Sequence, residues 1–190
     1  MVAKNHIITG TASVVCLGTA VYTLAYNVDV GIISVACSRL IEQAAGVNSL
    51  YKLCAIPLFV LGLILPDCDL RTSVVGKFFH LPCKHRTWTH SVWFVLPSVI
   101  AGIWFLPLWA LACAIVIHDF WDNLSNGGVC FFYPITKYRD MPNGAHFKPG
   151  HKGFYATGTA DETFMTVIAC CIAALAIGYA YLFFKMRCGV

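Results

Sequence analysis

From its N-terminus the chain alternates long apolar runs with short polar breaks. A polar lead over residues 1–6, carrying Lys4 and His6, precedes an apolar run over 7–26. That length matches the roughly 20 residues a membrane-spanning helix needs. A basic start before an apolar core also fits a signal peptide, but no clean small-residue cleavage site follows, so the run is expected to be retained. Residues 28–47 keep a helical period yet carry Asp29, Arg39, Glu42 and Gln43, which predicts an interfacial helix. A second apolar run over 51–65 is stopped by Pro66, and a polar loop over 71–86 holds Arg71, Lys77, Lys84 and Arg86.

The stretch 91–117 is long enough for one span, but Trp104-Phe105-Leu106-Pro107 interrupts its middle. Two short helices meeting at Pro107 are the expected reading, because an interior proline removes a helix hydrogen bond and clashes with the preceding turn. Such a hairpin brings the chain back to the side it left and places His118 near His90. Gly127-Gly128 ends the second of these helices, and a polar loop follows over 128–160. The last span is predicted over 162–184, with Thr159 as its cap and Asp161 and Glu162 in its first turn. The chain contains no internal repeat and no low-complexity tract.

Composition sharpens this into a class. The chain is 58% hydrophobic and 12% charged, with a mean hydropathy of +0.72; soluble domains carry about 25% charged residues. The expected fold is all-α: a polytopic membrane helix bundle with about five transmembrane or half-spanning helices plus the interfacial helix. Its 190 residues leave room for a single membrane-embedded domain, 1–190. A net charge of +4 calls for no nucleic acid partner. Most of the ten cysteines, such as Cys16, Cys54, Cys113, Cys170 and Cys171, fall in apolar runs without a Cys-x-x-Cys pair, so they read as small buried hydrophobes. Cys68 and Cys83 stand apart, beside the residues considered next.

Candidate chemistry gathers at the ends of the apolar runs. Asp67 and Asp69 close one run in Leu-Pro-Asp-Cys-Asp; His85 and His90 open the next in His-Arg-Thr-Trp-Thr-His-Ser. His118 and Asp122 are four residues apart and share a helix face. Carboxylate oxygen and imidazole nitrogen are the common ligands of a catalytic divalent metal, and ionisable groups at membrane depth are expensive unless they function. The candidate metal ligands are His6, Asp67, His85, His90, His118 and Asp122. Candidate catalytic groups are Asp69, as a possible further ligand or general base, Arg86, for an anionic substrate group, and Glu162. These exceed one tetrahedral set, so either two metals bind or some members orient the others. Of the two aspartates, Asp67 is the expected direct ligand. Mixed oxygen and nitrogen donors suit Zn2+ best, with Mn2+ or Fe2+ as alternatives. His80, His146 and His151 have no comparable neighbours and read as structural. Thr89 and Ser91 are read as hydrogen-bond donors to a substrate group or as caps of the next helix.

Placing all these groups on one membrane face puts Lys4, Arg71, Lys77, Lys84, Arg86, Lys137, Arg139, Lys148 and Lys152 there, nine of the thirteen Lys and Arg. By the positive-inside bias that face is cytoplasmic.

The same residues carry a resemblance. With a histidine ahead of the first span, Pro66-Asp67-Cys68-Asp69, His85-Arg86-Thr87-Trp88-Thr89-His90-Ser91, His118-Asp119-Phe120-Trp121-Asp122, Asn126-Gly127-Gly128-Val129 leading to Tyr133-Pro134, and Glu162, the chain resembles the YdjM-type (LexA-regulated) family of inner-membrane metal-dependent hydrolases over nearly its whole length. Asp119 stands where the family often has a hydrophobic residue, and the loop 140–160 is longer than its pattern. The resemblance implies residence in the bacterial inner membrane and metal-dependent hydrolysis. A lipid-like or phosphoester substrate drawn from the membrane lipids is expected, since a site at the interface can reach a head group. The alternative is a metal-binding protein or transporter without catalysis. A transporter calls for ionisable residues in mid-span, whereas here they lie at span ends.

Overall fold

The computed structural model describes residues 3–27, 49–135 and 153–188. The expected interfacial helix at 28–47 and the loop residues 136–152, including Lys137, Arg139, His146, Lys148, His151 and Lys152, lie outside the described residues. Five α-helices and no strand occur among the described residues: α1 (Ala3–Asn27), α2 (Ser49–Gly62), α3 (Val92–Ala101), α4 (Leu108–Leu124) and α5 (Ala160–Cys188). Two short 3-10 turns, Leu65–Asp69 and Trp88–His90, precede and follow the polar loop between α2 and α3.

Proline and glycine set the breaks. The α2 helix gives way to the Leu65–Asp69 turn at Pro66. The run 91–117 divides as expected: α3 stops at Gly102, whose N–H donates to Ser98 O at 2.9 Å, and α4 begins directly after Pro107. This break returns His118 to the end of the bundle where His90 lies. The start of α5 differs from expectation. Thr159 turns its hydroxyl back to Ala156 O (2.7 Å), and the Glu162 carboxylate accepts the Gly158 N–H (2.5 Å) instead. Ser91 likewise precedes α3 without capping it, its hydroxyl donating to Trp88 O at 2.7 Å.

The α1 helix packs along α5, α2 along α4, and α4 also meets α1 and α3. Small residues let the first pair close: Ala12, Ala169 and Ala173 form its buried seam. Gly62 does the same for α2 and α4, because a Cβ there would stand 2.6 Å from Leu111 O. Within α1, Thr9, Thr11 and Ser13 donate their hydroxyls to the carbonyls of Asn5, Ile7 and Thr9 at 2.7–2.8 Å, so none of these three protons faces an apolar medium.

Polarity is distributed inside out. The interior collects His6, Asp67, Asp69, Arg86, His90, His118, Asp122 and Glu162, while Leu17, Leu53, Ile56, Trp104 and Leu175 face outward. Water penalises such an exterior and lipid does not. The α1 and α5 helices are long and apolar enough to cross a membrane; α2 and α3 are shorter apolar helices. The cysteines follow the same rule and depart from expectation. Cys68 and Cys130 are buried, but Cys113, Cys170 and Cys171 are exposed on the outer faces, where an apolar side chain needs no protein around it. No disulfide joins the cysteines of the described residues.

Candidate metal centre

All site residues come from one end of the bundle: the start of α1 (His6), the turn after α2 (Asp67, Asp69), the turn before α3 (His90), the end of α4 (His118, Asp122) and the start of α5 (Glu162). Alternating helix direction along the chain produces this gathering.

Asp67, His90, His118 and Asp122 form the centre, each buried and each offering one donor atom within 4.8 Å of the others. His90 Nε2 and His118 Nε2 lie 3.3 Å apart. Asp122 Oδ2 is 3.5 Å from His90 Nε2 and 3.9 Å from His118 Nε2. Asp67 Oδ1 is 3.9 Å and 3.8 Å from the same two nitrogens. Four ligands placed tetrahedrally at the ~2.0–2.1 Å typical of zinc stand about 3.3–3.4 Å from one another. The five separations above, 3.3–3.9 Å, thus already approach the edges of a metal-sized tetrahedron. His118 is oriented by Leu63 O, which accepts from Nδ1 at 2.8 Å and leaves the Nε2 lone pair to face the centre.

His6 stacks on His118 with ring centroids 3.8 Å apart, and its Nε2 is 3.4 Å from Asp122 Oδ1. Both its ring nitrogens are buried and neither has a hydrogen-bond partner among the described residues. A neutral imidazole has one lone pair, and an unsatisfied ring nitrogen of this kind beside a carboxylate cluster fits a cation site. Asp122 therefore turns one oxygen to His6 and the other to His90, His118 and Arg86, whose Nη2 lies 3.4 Å away.

Arg86 is buried and anchored from several sides. Its Nη1 donates to Ser125 Oγ (2.7 Å) and Gly128 O (3.3 Å), and its Nη2 to Thr157 Oγ1 (3.2 Å). It adopts a left-handed φ of 65°, which folds the loop so that its own N–H reaches Asp69 Oδ2 at 3.3 Å. Gly127 makes room for it: a Cβ there would stand 2.0 Å from Nη1. Residues 153–157 complete this wall. Phe154 N donates to Leu124 O and Asn126 N to Tyr155 O, both at 2.8 Å, and the Tyr155 hydroxyl donates to Trp121 O at 2.5 Å.

Asp69 belongs to a neighbouring group with His85 and His90. Its Oδ1 lies 2.8 Å from His85 Nδ1, and its Oδ2 accepts from Thr89 Oγ1 at 2.7 Å. Thr89 Oγ1 is in turn 3.0 Å from His90 Nδ1. Burial pushes the Asp69 carboxyl up, but the hydrogen bond and charge of His85 outweigh it and hold the group below its ordinary range. Asp67 moves the other way: burial, then the charge of Asp122, raise it above the ordinary range against the pull of His90. Glu162 stands at the margin, its Oε1 accepting from Asn5 Nδ2 at 2.7 Å and its Oε2 from Gly158 N.

The structure thus gathers Asp67, His90, His118 and Asp122 into one centre, sets His6 and Arg86 against Asp122, and places His85 with Asp69. Glu162 ties α1 to α5. His80 is engaged away from the centre, its Nδ1 3.3 Å from Cys68 O. Cys68 is buried between the two aspartates, and burial, then Asp69, push its thiol up to about 12. Sequence reasoning passed over Asp119, whose Oδ1 is buried without a hydrogen-bond partner among the described residues. An acidic residue inside an apolar helix, three before Asp122, was its visible signal.

No curated protein and no solved structure matches the chain. The YdjM inner membrane protein family does, over residues 1–186. With that coverage, and with the histidines and aspartates of the resemblance gathered at one end of a helical bundle, the chain belongs to the YdjM inner membrane protein family.

Proposed function

We propose that the protein is a multi-pass inner-membrane hydrolase that uses a divalent metal, most readily zinc, on a lipid or other amphiphilic ester or phosphoester. The observation that carries this reading is the buried Asp67–His90–His118–Asp122 tetrad with metal-sized separations. A cation held there supplies Lewis acidity toward a carbonyl or phosphoryl oxygen and acidifies water near neutral pH. Asp67 and Asp122 provide the negative charge that holds it, and His90 and His118 the neutral nitrogens. Arg86 offsets the charge of Asp122 and puts a fixed cation beside an anionic substrate group. His85, whose side chain is 30% exposed, stands on Asp69 at the outer edge and is placed to hand a proton to a departing group.

An amphiphilic substrate is favoured by an apolar groove of about 560 Å³ between α1, α4 and α5, with Leu17, Phe120, Trp121, Met165 and Ile168 in its walls. Trp121 precedes Asp122 in α4, so the groove reaches the level of the centre along that helix, although no residue of the tetrad lines it. The grouping of site residues at helix ends favours an enzyme over a transporter. Lys4, Arg71, Lys77, Lys84 and Arg86 lie on the segments that carry the site residues, and by the positive-inside bias their charge supports a cytoplasmic orientation. The test is hydrolysis of phospholipids and generic phosphoesters by purified protein beside Asp67→Ala and His90→Ala. Turnover lost in both variants supports the reading; equal turnover in all three assigns the activity elsewhere.

A further inference from the structure

His90 and His118 can meet in two ways. If His90 carries its proton on Nε2, it donates to His118 Nε2 across 3.3 Å, and a neutral histidine pair closes the centre. If the proton is on Nδ1, two lone pairs face each other at that distance, and the pair is repulsive until a cation lies between them. The choice between a closed pair and a metal site therefore depends on what His90 Nδ1 meets.

It meets Thr89. A hydroxyl has one proton, and that of Thr89 is directed at Asp69 Oδ2 at 2.7 Å, where a carboxylate only accepts. Thr89 Oγ1 can then only accept from His90 Nδ1, 3.0 Å away, which fixes the Nδ1–H tautomer. Asp69 is itself pinned by His85 Nδ1 and by the Arg86 N–H. Thr89 and its hydroxyl are buried, so no water competes. We propose that Thr89 is a positioning residue which, held by Asp69, sets the tautomer of His90 and opens the centre to a cation. Asp69, His85 and Thr89 then form an orienting lattice and not a second metal site. The 2.8 Å between Asp69 Oδ1 and His85 Nδ1 is a hydrogen-bond length, shorter than the about 3.3–3.4 Å that separates two ligands of a tetrahedral zinc.

This inference rests on the metal reading above, and the experiment separates the two. Zn2+ affinity by chelator competition is measured on purified full-length wild type, Thr89→Val and Thr89→Ser, with Co2+ absorption reporting the ligand geometry. Loss of such an orienting partner weakens metal binding roughly 10–100-fold. Thr89→Val is expected to fall in that range with an altered Co2+ spectrum, and Thr89→Ser to restore both. Thr89→Ala, which adds no bulk, gives the same loss if the valine disturbs packing. Wild-type affinity in Thr89→Val and Thr89→Ala overturns the positioning role alone. A second bound zinc that His85→Ala removes and Thr89→Val spares overturns the lattice. A wild type that binds no zinc overturns this inference together with the metal reading.

Discussion

His90 Nε2 and His118 Nε2 stand 3.3 Å apart although their side chains leave the backbone 28 residues from each other. The pair exists because α3 and α4 part at Pro107 and the chain doubles back. Replacing either ring removes one vertex of the tetrad and leaves two buried carboxylates with less to hold. His118→Ala is expected to lose bound metal, a loss greater than the roughly 10–100-fold assigned to an orienting residue. Metal content after equilibrium dialysis checks this; retention at the wild-type level counts against His118 as a ligand.

Asp67 and Asp69 are expected to part company on substitution. Asp67→Asn replaces a charged ligand oxygen of the tetrad by a neutral amide and should abolish tight binding. Asp69→Asn acts only through Thr89, His85 and the Arg86 N–H, and should weaken binding by roughly 10–100-fold. Competition titrations of both variants decide the order, and a reversed order would make Asp69 the ligand.

Gly127 is expected to tolerate no side chain. A Cβ would press on Arg86 Nη1 at 2.0 Å, and Arg86 cannot yield without releasing Ser125, Gly128 O and Asp122. Gly127→Ala should therefore destabilise the fold by about 1–3 kcal/mol, as overpacking does. Thermal unfolding in detergent, compared with an alanine at the open position Gly18, measures it.

Acidity should act on the centre in two opposed ways. The Asp67 carboxyl lies above its ordinary range, so it takes up a proton sooner as pH falls, and that proton competes with metal. Metal affinity should thus drop on acidification from neutrality, before ordinary carboxylates titrate. Without metal the raised carboxyl has the other sign: the stability it contributes is present below its unfolded value and lost as pH rises through its folded one. Asp69, held below its ordinary range, contributes stability present above its unfolded value and lost as pH falls through the folded one. Unfolding profiles with and without metal should diverge as pH rises; parallel profiles would contradict the linkage.

Much of this was legible along the chain, and the reasons are local. Pro107 in an apolar run announced the hairpin, and the hairpin announced that His118 returns to His90. Asp67 and Asp69 share the turn that ends the second apolar run, so the sequence left the choice between them open; the structure sets Asp67 Oδ1 toward His90 and His118. What stayed hidden depends on single hydrogen bonds through space. Nothing in the sequence distinguishes Thr89 as a partner of Asp69 from Thr89 as a cap. Thr159 had the spacing of a cap, yet its hydroxyl found Ala156 O first. The outward cysteines were misjudged because an apolar run marks contact with lipid as readily as burial in protein.

The proposed metal site consists of Asp67, His90, His118 and Asp122. Its most direct test is elemental analysis of the purified protein beside Asp67→Ala and His90→Ala. A stoichiometric divalent metal, zinc foremost, in the wild type and its loss from both variants is the predicted result. Equal metal content in all three proteins would contradict it.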